Sequence, residues 1–387
     1  RLVLLLIIVN MSSFGKYFKI TTFGESHCPS VGVVIDAPPS NFKLDLDKVQ
    51  KQLSRRRPGQ SDITTPRNEL DQIIVLSGME NGLTLGTPLT IIVNNKNIKP
   101  EDYNFSEENE FDFKNYIPRP SHSDLTYLWK YGIHAKSGGG RSSARETIGR
   151  VIAGAIADQI LEQRGISVTA FVSQVGDIIP NEFETSEENL SRDIIDKYKT
   201  RCPSSDSELI ERKILELKEN GNSVGGKVKC IIKNCPRGLG EPVFDKMEAM
   251  LAHAMLSIPA TKGFEIGSGF DCVNQTGKDH NDLWIDNGKT KTNNNGGIIG
   301  GITNGENINF SVAFKPPATI LMDQETINLK GESVVLKAKG RHDPCVVPRA
   351  VPIVEAMASL CLVDLLYSQV SKRNVLLNNI HISHNVV

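Results

Sequence analysis

The sequence predicts an α+β fold, and three observations carry that expectation. Ile148, Val151, Ile152, Ala155, Ile156 and Ile160 follow the i, i+3, i+4, i+7, i+8 spacing of one buried helix face. Ala350, Ile353, Val354, Met357, Leu360, Cys361 and Leu365 mark a second helix near the C-terminus. Around and between them lie short strand-like runs at residues 14–23, 31–36, 72–77, 88–94, 168–175, 227–232 and 309–314. Periodicity names the elements but does not fix how they are layered.

The chain has 387 residues, enough for one large domain or two ordinary ones with a buried core. A formal net charge of −1 supplies no global basic field for nucleic acid or a membrane surface. Any anion site must therefore be local. Seven scattered cysteines with no CxxC pair read as reduced thiols, not as a disulfide framework or a zinc site. Residues 1–10 include eight consecutive apolar residues ahead of Met11, far short of the roughly 20 that span a bilayer. No small-residue cleavage site follows, so Met11 reads as the natural start.

The stretch Gly138-Gly139-Gly140-Arg141-Ser142-Ser143-Ala144-Arg145-Glu146-Thr147 runs straight into the first of the two helices. Ser143 and Glu146 have the S-x-x-E spacing of a capping box, which places the helix start at Ser143. Glycines ahead of a cap let backbone approach a ligand, and first-turn amides with Arg141 and Arg145 favour an anion. The same residues also describe an ordinary capped helix with its arginines in water.

Other candidates appear in chain order. Gly24-Glu25-Ser26-His27-Cys28 joins two strand-like runs and holds His27 in a tight connection, where Glu25 and Ser26 can orient it. Leu46, Val49 and Leu53 suggest a short helix stopped by Pro58 and Gly59. Arg55, Arg56 and Arg57 at its end complement the helix dipole and exceed what the dipole asks. Residues 60–71 are turn-rich and add Arg67, while the acidic residues 101–112 read as a solvated loop. Pro118 and Pro120 stiffen a turn that carries Arg119 and His122.

Residues 181–222 are polar and charged, helical around 209–217, and are expected outside the core. Residues 242–255 read as a helix with Phe244, Met247, Leu251, Ala254 and Met255 on one face. The polar residues 275–301 form a long irregular stretch that ends in paired glycines, suited to close approach by a flat ligand. Lys315-Pro316-Pro317-Ala318-Thr319 is a stiff turn, and Gly340-Arg341-His342-Asp343-Pro344-Cys345 precedes the last helix. Arg341 and Asp343, two apart, are also placed to pair with each other.

Arg56, Arg119, Arg141, Arg145, Lys315 and Arg341 are too many cations for a monophosphate. They suit a small molecule that carries a phosphate and carboxylates. The proton-transfer candidates are His27, His122 and Asp343. No nucleophile triad, HExxH motif or carboxylate metal cluster is present, which disfavours covalent and metal catalysis. No G-x-G-x-x-G fingerprint follows a strand-like run.

The segments at 24–28, 140–147 and 340–345 closely resemble the signature segments of the chorismate synthase family, as do 55–59, 119–124 and 315–319. The resemblance runs in the family's order from about Phe14 to about Tyr367. It implies one layered β-α-β-α sandwich domain over residues 11–370, between an extension at 1–10 and a tail at 371–387. It further implies a homotetramer in the cytoplasm, or in a plastid or similar compartment, with no nucleic-acid or membrane partner. The implied reaction is anti 1,4-elimination of phosphate from 5-enolpyruvylshikimate 3-phosphate to give chorismate. Reduced FMN would be required without net redox change, with NADPH as a possible flavin reductant.

By the same resemblance His122 would protonate the substrate–flavin system, His27 would serve the reduced flavin, and Asp343 would assist proton removal. Ser26 and Ser143 would help by hydrogen bonding. Arg56, Arg119, Arg145 and Arg341 would hold the substrate. Arg141, Ser142, Ser143, Pro259, Ala260, Gly300, Lys315, Pro316, Pro317, Ala318, Thr319 and Arg341 would surround FMN. The sequence departs from the family at Ala37 and Ser121, where glycine is usual, and at Asp62, where many bacterial members have arginine. A flavin oxidoreductase with net electron transfer and a non-catalytic module for an anionic metabolite are the rival readings.

Overall fold

The structure is a computed structural model that describes residues 12–65, 69–96, 116–133, 139–285, 288–338 and 342–376, with side chains of the last helix to Lys372. In it the short apolar runs assemble into two antiparallel sheets. The first holds β1 (Ser13–Phe14), β2 (Ile20–Phe23), β3 (Ser30–Ile35), β4 (Ile73–Ser77) and β5 (Leu89–Asn94) in the order β1-β2-β3-β5-β4. Val31, Val33 and Ile35 of β3 stand opposite Val93, Ile91 and Leu89 of β5, and all six are buried. A two-residue pleat with one covered face produces that match, and a slip of one residue would expose the whole set.

The second sheet holds β6 (Ser167–Val175), β7 (Gly226–Lys233), β8 (Thr261–Ile266) and β9 (Ile308–Phe314) in the order β8-β9-β7-β6. Val228, Cys230 and Ile232 pair with Val312, Phe310 and Ile308 on its inner face. Between the sheets lie α1 (Leu46–Arg56), α3 (Thr147–Glu162) and α6 (Val347–Leu376); α2 (Asp124–Tyr131), α4 (Ser207–Glu219) and α5 (Met247–Leu256) complete the longer helices. Phe171 and Ile231 point the other way, where Leu190 and Ile195 of a short helical segment cover them. The layers are thus sheet, helices, sheet and a small helical cover.

Close helix packing depends on two glycines of α3. A Cβ at Gly149 would lie 2.8 Å from the Gly32 carbonyl oxygen on β3, and one at Gly154 would lie 2.3 Å from the Ala356 Cβ on α6. Their absence lets α3 seat against the first sheet on one side and α6 on the other. The Val347–Lys372 portion of α6 is long and apolar enough to cross a bilayer, yet 94% of its most apolar window is buried inside the protein. Its length reflects a core shared by two sheets. Within that core Glu355 pairs with Arg55 of α1 and with Arg192, and accepts the Ala170 amide of β6 at 3.0 Å. An unpaired charge there would be costly, so the network ties α1, α6, β6 and the outer cover into one arrangement.

Three expectations change. Residues 181–222 are not outside the core, because Ile210 and Ile214 of α4 are fully buried in the main cluster. Their spacing of four puts both on one face while the charges take the other, which average polarity conceals. The helix expected over 242–255 begins only at Met247, whose amide bonds Gly301, and Phe244 is exposed. The irregular stretch expected over 275–301 holds one small hairpin, Trp284–Ile285 with Lys289–Thr290, and the first strand of another, Ile298–Ile299 with Ile302–Thr303. Asp282 pins the stretch by accepting from Thr292, Asn294 and Asn295. The acidic segment, Arg67, Arg341, the 1–10 extension and residues 377–387 lie outside the described residues.

Candidate active site

The loops that precede α3 and α6 meet those that follow β2, α1, α5 and β9, and together they wall a cavity of two lobes. The larger lobe, about 430 Å³, is bounded by Ile258, Pro259, Ala260, Phe314, Pro317, Ala318, Val346 and Ile353, with Arg141 and Lys315 also in its wall. The smaller, about 220 Å³, is bounded by Ser26, His27, Arg119, Ser143, Arg145, Thr319 and His342. Arg56, His122, Ser142, Asp343 and Arg349 belong to both, so the lobes adjoin. One side suits a flat apolar group and the other an anion.

The glycine-rich approach to α3 differs from the expected capping box. Residues Gly140–Ser142 and Ala144–Glu146 form two successive 3₁₀ turns, and the α-helix begins at Thr147. Ser143 does cap, accepting the Arg145 amide at 3.3 Å, but Glu146 turns to Thr22 Oγ1 and the Arg150 guanidinium. With the α-helix starting four residues late, the reciprocal bond has no reach. The amides of Ser142, Ser143 and Glu146 are spent on Gly139, Gly140 and Ser143 carbonyls, so this helix start is not an open anion cradle. Ser142 Oγ also bonds Gly139, at 2.6 Å.

Several cations counted from sequence are already engaged by protein partners. Arg145 is 3% exposed and spends its three nitrogens on Asn95, Asp71 and Glu69 at 2.5, 2.8 and 2.7 Å. Three of its five N–H groups are spent in this way, and it anchors the site wall that it lines. Arg141 binds Thr22 and Gly24 of the first sheet, and Lys315 Nζ donates to the Ser121 carbonyl at 2.7 Å. Arg56 keeps more in reserve. It is 2% exposed, holds Asp71 at 3.2 Å and the Ala144 carbonyl at 3.3 Å, and its Nε has no hydrogen-bond partner among the described residues. Burial, only partly offset by Asp71, together with Arg349 and Arg145 depresses this guanidinium to about 9. It remains charged at neutral pH and lacks enough negative charge nearby.

Arg349 was not among the sequence candidates. It joins Asp343 in an ion pair and donates from Nε to the Arg56 carbonyl at 3.1 Å. The Thr65 amide donates to the other Asp343 oxygen at 2.9 Å. Its signal was a lone arginine in the first turn of an otherwise apolar helix. Asp71, Glu69 and Asn95 gave no such signal, since they serve the site only across long sequence separations. Gly300 and Pro316 wall neither lobe. Gly300 sits instead in the turn between Ile298–Ile299 and Ile302–Thr303, and Pro316 in the stiff turn whose next three residues reach the cavity.

The histidine turn is well determined. His122 Nδ1 receives the Arg119 Nη2 at 3.1 Å and the Asp124 amide at 3.2 Å. Both are obligatory donors, which makes Nδ1 the acceptor of the pair. Ser121, just ahead, has φ +59°, a left-handed conformation that glycine adopts at less cost. Ser26 Oγ is buried beside the smaller lobe without a hydrogen-bond partner among the described residues. Together with Arg56 Nε it offers unmet hydrogen-bonding capacity at a cationic wall.

Residues 18–367 match the sequence model of the family described as Chorismate synthase. The chain belongs to the chorismate synthase family. It is 54% identical over 361 residues to the chorismate synthase of Prochlorococcus marinus strain MIT 9301, covering 91% of this chain and 96% of that one. It is 51% identical to that of Schizosaccharomyces pombe, covering 95% and 100%, and 52% identical to that of Saccharomyces cerevisiae, covering 93% and 97%. A crystal structure of chorismate synthase superposes with TM-score 0.70 at 27% identity, covering 92% of this chain and 93% of that one. The α+β architecture is that of the family. The chain is an enzyme of the chorismate synthase kind, a lyase acting on a phosphate, and its reaction is the shikimate-pathway step that forms chorismate.

Proposed function

We propose that the two lobes hold reduced FMN and 5-enolpyruvylshikimate 3-phosphate side by side, the flavin ring against the apolar wall and the anionic groups in the smaller lobe. The observation that carries this reading is the junction of an apolar lobe with a cationic one at Arg56, His122, Asp343 and Arg349. The residues present fit both molecules: the apolar wall offers a platform, while Arg56 Nε and Ser26 Oγ lack partners that phosphate or carboxylate oxygens supply. Pro259, Ala260, Pro317 and Ala318 would hold the flavin, with Arg141, Ser142, Lys315 and Thr319 at its polar margins. When bound, reduced FMN supplies electron density that is recovered within the redox-neutral reaction.

In the elimination the allylic C–O bond to phosphate breaks and the C6 proton departs to a base. Arg56, Arg119 and Arg349 stabilise the departing phosphate and the carboxylates, and Arg341 joins them on the strength of the resemblance. Asp343 is the acceptor for the proton, oriented by the Thr65 amide and Arg349. His122 and His27 hold protons beside the reacting atoms, and Ser26 and Ser143 complete the hydrogen bonding. NADPH is the proposed flavin reductant and the cytoplasm the proposed location, in keeping with seven free cysteines. A homotetramer would cover the exposed Phe270, Val273, Leu283, Trp284 and Ile285.

The deciding assay is anaerobic: protein, substrate and chemically reduced FMN, with chorismate absorbance and phosphate release followed together. Equal amounts of both products, absent with oxidised FMN, are expected; a repeat with NADPH and oxidised FMN tests the reductant. Flavin bound without product would overturn the roles assigned to the cavity.

A further inference from the structure

We propose that Lys218 is a positioning residue that acts on Asp343 through the Thr64–Thr65 peptide, turning that peptide's N–H onto the carboxylate that receives the C6 proton. This deepens the function proposed above and rests on Asp343 as the proton acceptor.

Asp343 walls both lobes, and its two oxygens are held from different sides. Oδ2 pairs with the guanidinium of Arg349, and Oδ1 accepts the Thr65 amide at 2.9 Å. Arg349 stands on α6, so the helix sets its place. The Thr65 amide comes from the loop after α1, which needs anchors of its own. Ile63 is fully buried, and the Ser61 carbonyl accepts the Thr64 amide at 3.2 Å and Thr64 Oγ1 at 2.8 Å, closing a turn. The remaining anchors come from outside the cavity. Lys218, in the last turn of α4, donates from Nζ to the carbonyls of Asp62 and Thr64, the second at 3.3 Å. Lys199 meets the Asp62 carboxylate at 3.3 Å and Glu211 at 2.7 Å. Asp62, where the sequence departs from the family, is thus taken up by two lysines. Neither it nor Lys218 walls either lobe.

The Thr64 carbonyl and the Thr65 N–H belong to one trans peptide unit and point in opposite directions along one dipole. The Lys218 ammonium lies at its negative end and the Asp343 carboxylate at its positive end. Both charges favour the same orientation of the unit, and the cation polarises the N–H into a better donor to the anion. A carboxylate held by one oxygen is free to pivot about that contact, and the bond to Oδ1 removes this freedom. Proton transfer demands an acceptor within hydrogen-bond reach of the departing proton. A misplacement of about 1 Å costs about 100-fold in rate. The helix expected outside the core from its polarity therefore reaches the reacting atoms through one peptide bond.

The test is Lys218→Met, which keeps the apolar stem and removes the charge. It should lower kcat about tenfold and leave KM within about twofold. The primary isotope effect with substrate deuterated at C6 should rise, because proton transfer becomes slower relative to the other steps. Lys218→Arg restores a cationic donor and should recover most of the loss. Lys213→Met takes the same unit charge from the same helix, where Lys213 faces only Asp177 at 3.8 Å, and should change neither rate nor isotope effect. A further readout needs neither flavin nor substrate. Hydrogen exchange across residues 61–65, followed by mass spectrometry, should quicken about threefold or more in Lys218→Met and stay native in Lys213→Met.

A native kcat or unchanged exchange in Lys218→Met, or a loss that Lys218→Arg does not reverse, would make Lys218 a surface lysine of α4 and overturn the proposal. Native-like turnover by Asp343→Asn would sink the proton acceptor assigned above and this proposal with it, a failure distinct from any result on Lys218.

Discussion

Gly154 lies where α3 crosses α6, and one added methyl should push the two helices apart. A Cβ at this position would sit 2.3 Å from the Ala356 Cβ, 2.4 Å from its Cα and 2.8 Å from its carbonyl oxygen, whereas ordinary contact begins near 3.4 Å. The helices must separate by about 1 Å, since two of the three obstructing atoms are backbone and cannot rotate away. Alanine in a helix interior gains about 1 kcal/mol over glycine. Overpacking at the upper end of its usual range costs about 3 kcal/mol. The net is about 2 kcal/mol of destabilisation. With an unfolding entropy of about 2.1 cal/mol/K per residue, this lowers Tm by about 2–3 °C. The site should suffer more than the fold. Arg145 stands just before α3 and Asp343 just before α6, and a shift of about 1 Å between such groups can cost about 100-fold in rate. Differential scanning calorimetry and kcat on Gly154→Ala test this, with Gly277→Ala as control because a Cβ there meets nothing within 4 Å. A Tm equal to or above the native value, with kcat retained, would refute the argument that this glycine sets the spacing.

Glu355→Gln should destabilise the protein by about 3–5 kcal/mol at pH 7, since Arg55 and Arg192 would lose their buried counter-charge. Burial works to raise the pKa of Glu355, but Arg192 and Arg55 outweigh it and hold it below the ordinary 4.5. Its contribution is therefore complete above that value and is lost as pH falls below it. The Tm gap between native protein and variant, measured from pH 7 down to 3, should narrow only in the acid part. Ser121→Gly should leave kcat near native and raise stability by up to about 1 kcal/mol, because the position already has φ +59°; a lower Tm would show that the serine makes a compensating contact. Arg349→Ala should lower kcat/KM about 100-fold by freeing Asp343 and removing a cavity cation, and steady-state kinetics with reduced FMN checks it.

The elements that sequence reading captured best are those whose burial follows a simple period. The faces of α3 and α6 and the strands β3, β5, β7 and β9 came close to their observed bounds because each has one covered side and an unambiguous repeat. It failed where a local pattern competed with a distant partner. Ser143 and Glu146 read as a capping box, yet Thr22 and Arg150 claim the glutamate. Residues 242–246 read as helix, yet Gly301 takes the Met247 amide and starts the helix there. Arg145 read as a cation in water or at an anion, and Glu69 and Asp71 pair with it inside the site wall.

From the sequence alone come the α+β class, the list of loops that carry chemistry and, through resemblance, the family to which the chain belongs. These are legible because side-chain period, glycine and proline placement and motif order are properties of neighbours along the chain. Tertiary structure decided which charges are spent and which are kept. Arg145 and Arg56 are both buried arginines beside the same Asp71, but one has every nitrogen paired and the other has Nε left over. That difference depends on whether the Asn95 carbonyl oxygen arrives from elsewhere in the chain to accept from Nε. It decided equally that Arg349 joins the site and that His122 accepts at Nδ1. Charge and hydrogen bonding act over a few ångströms in space, and residues far apart along the chain become near neighbours only when the two sheets close around α3 and α6.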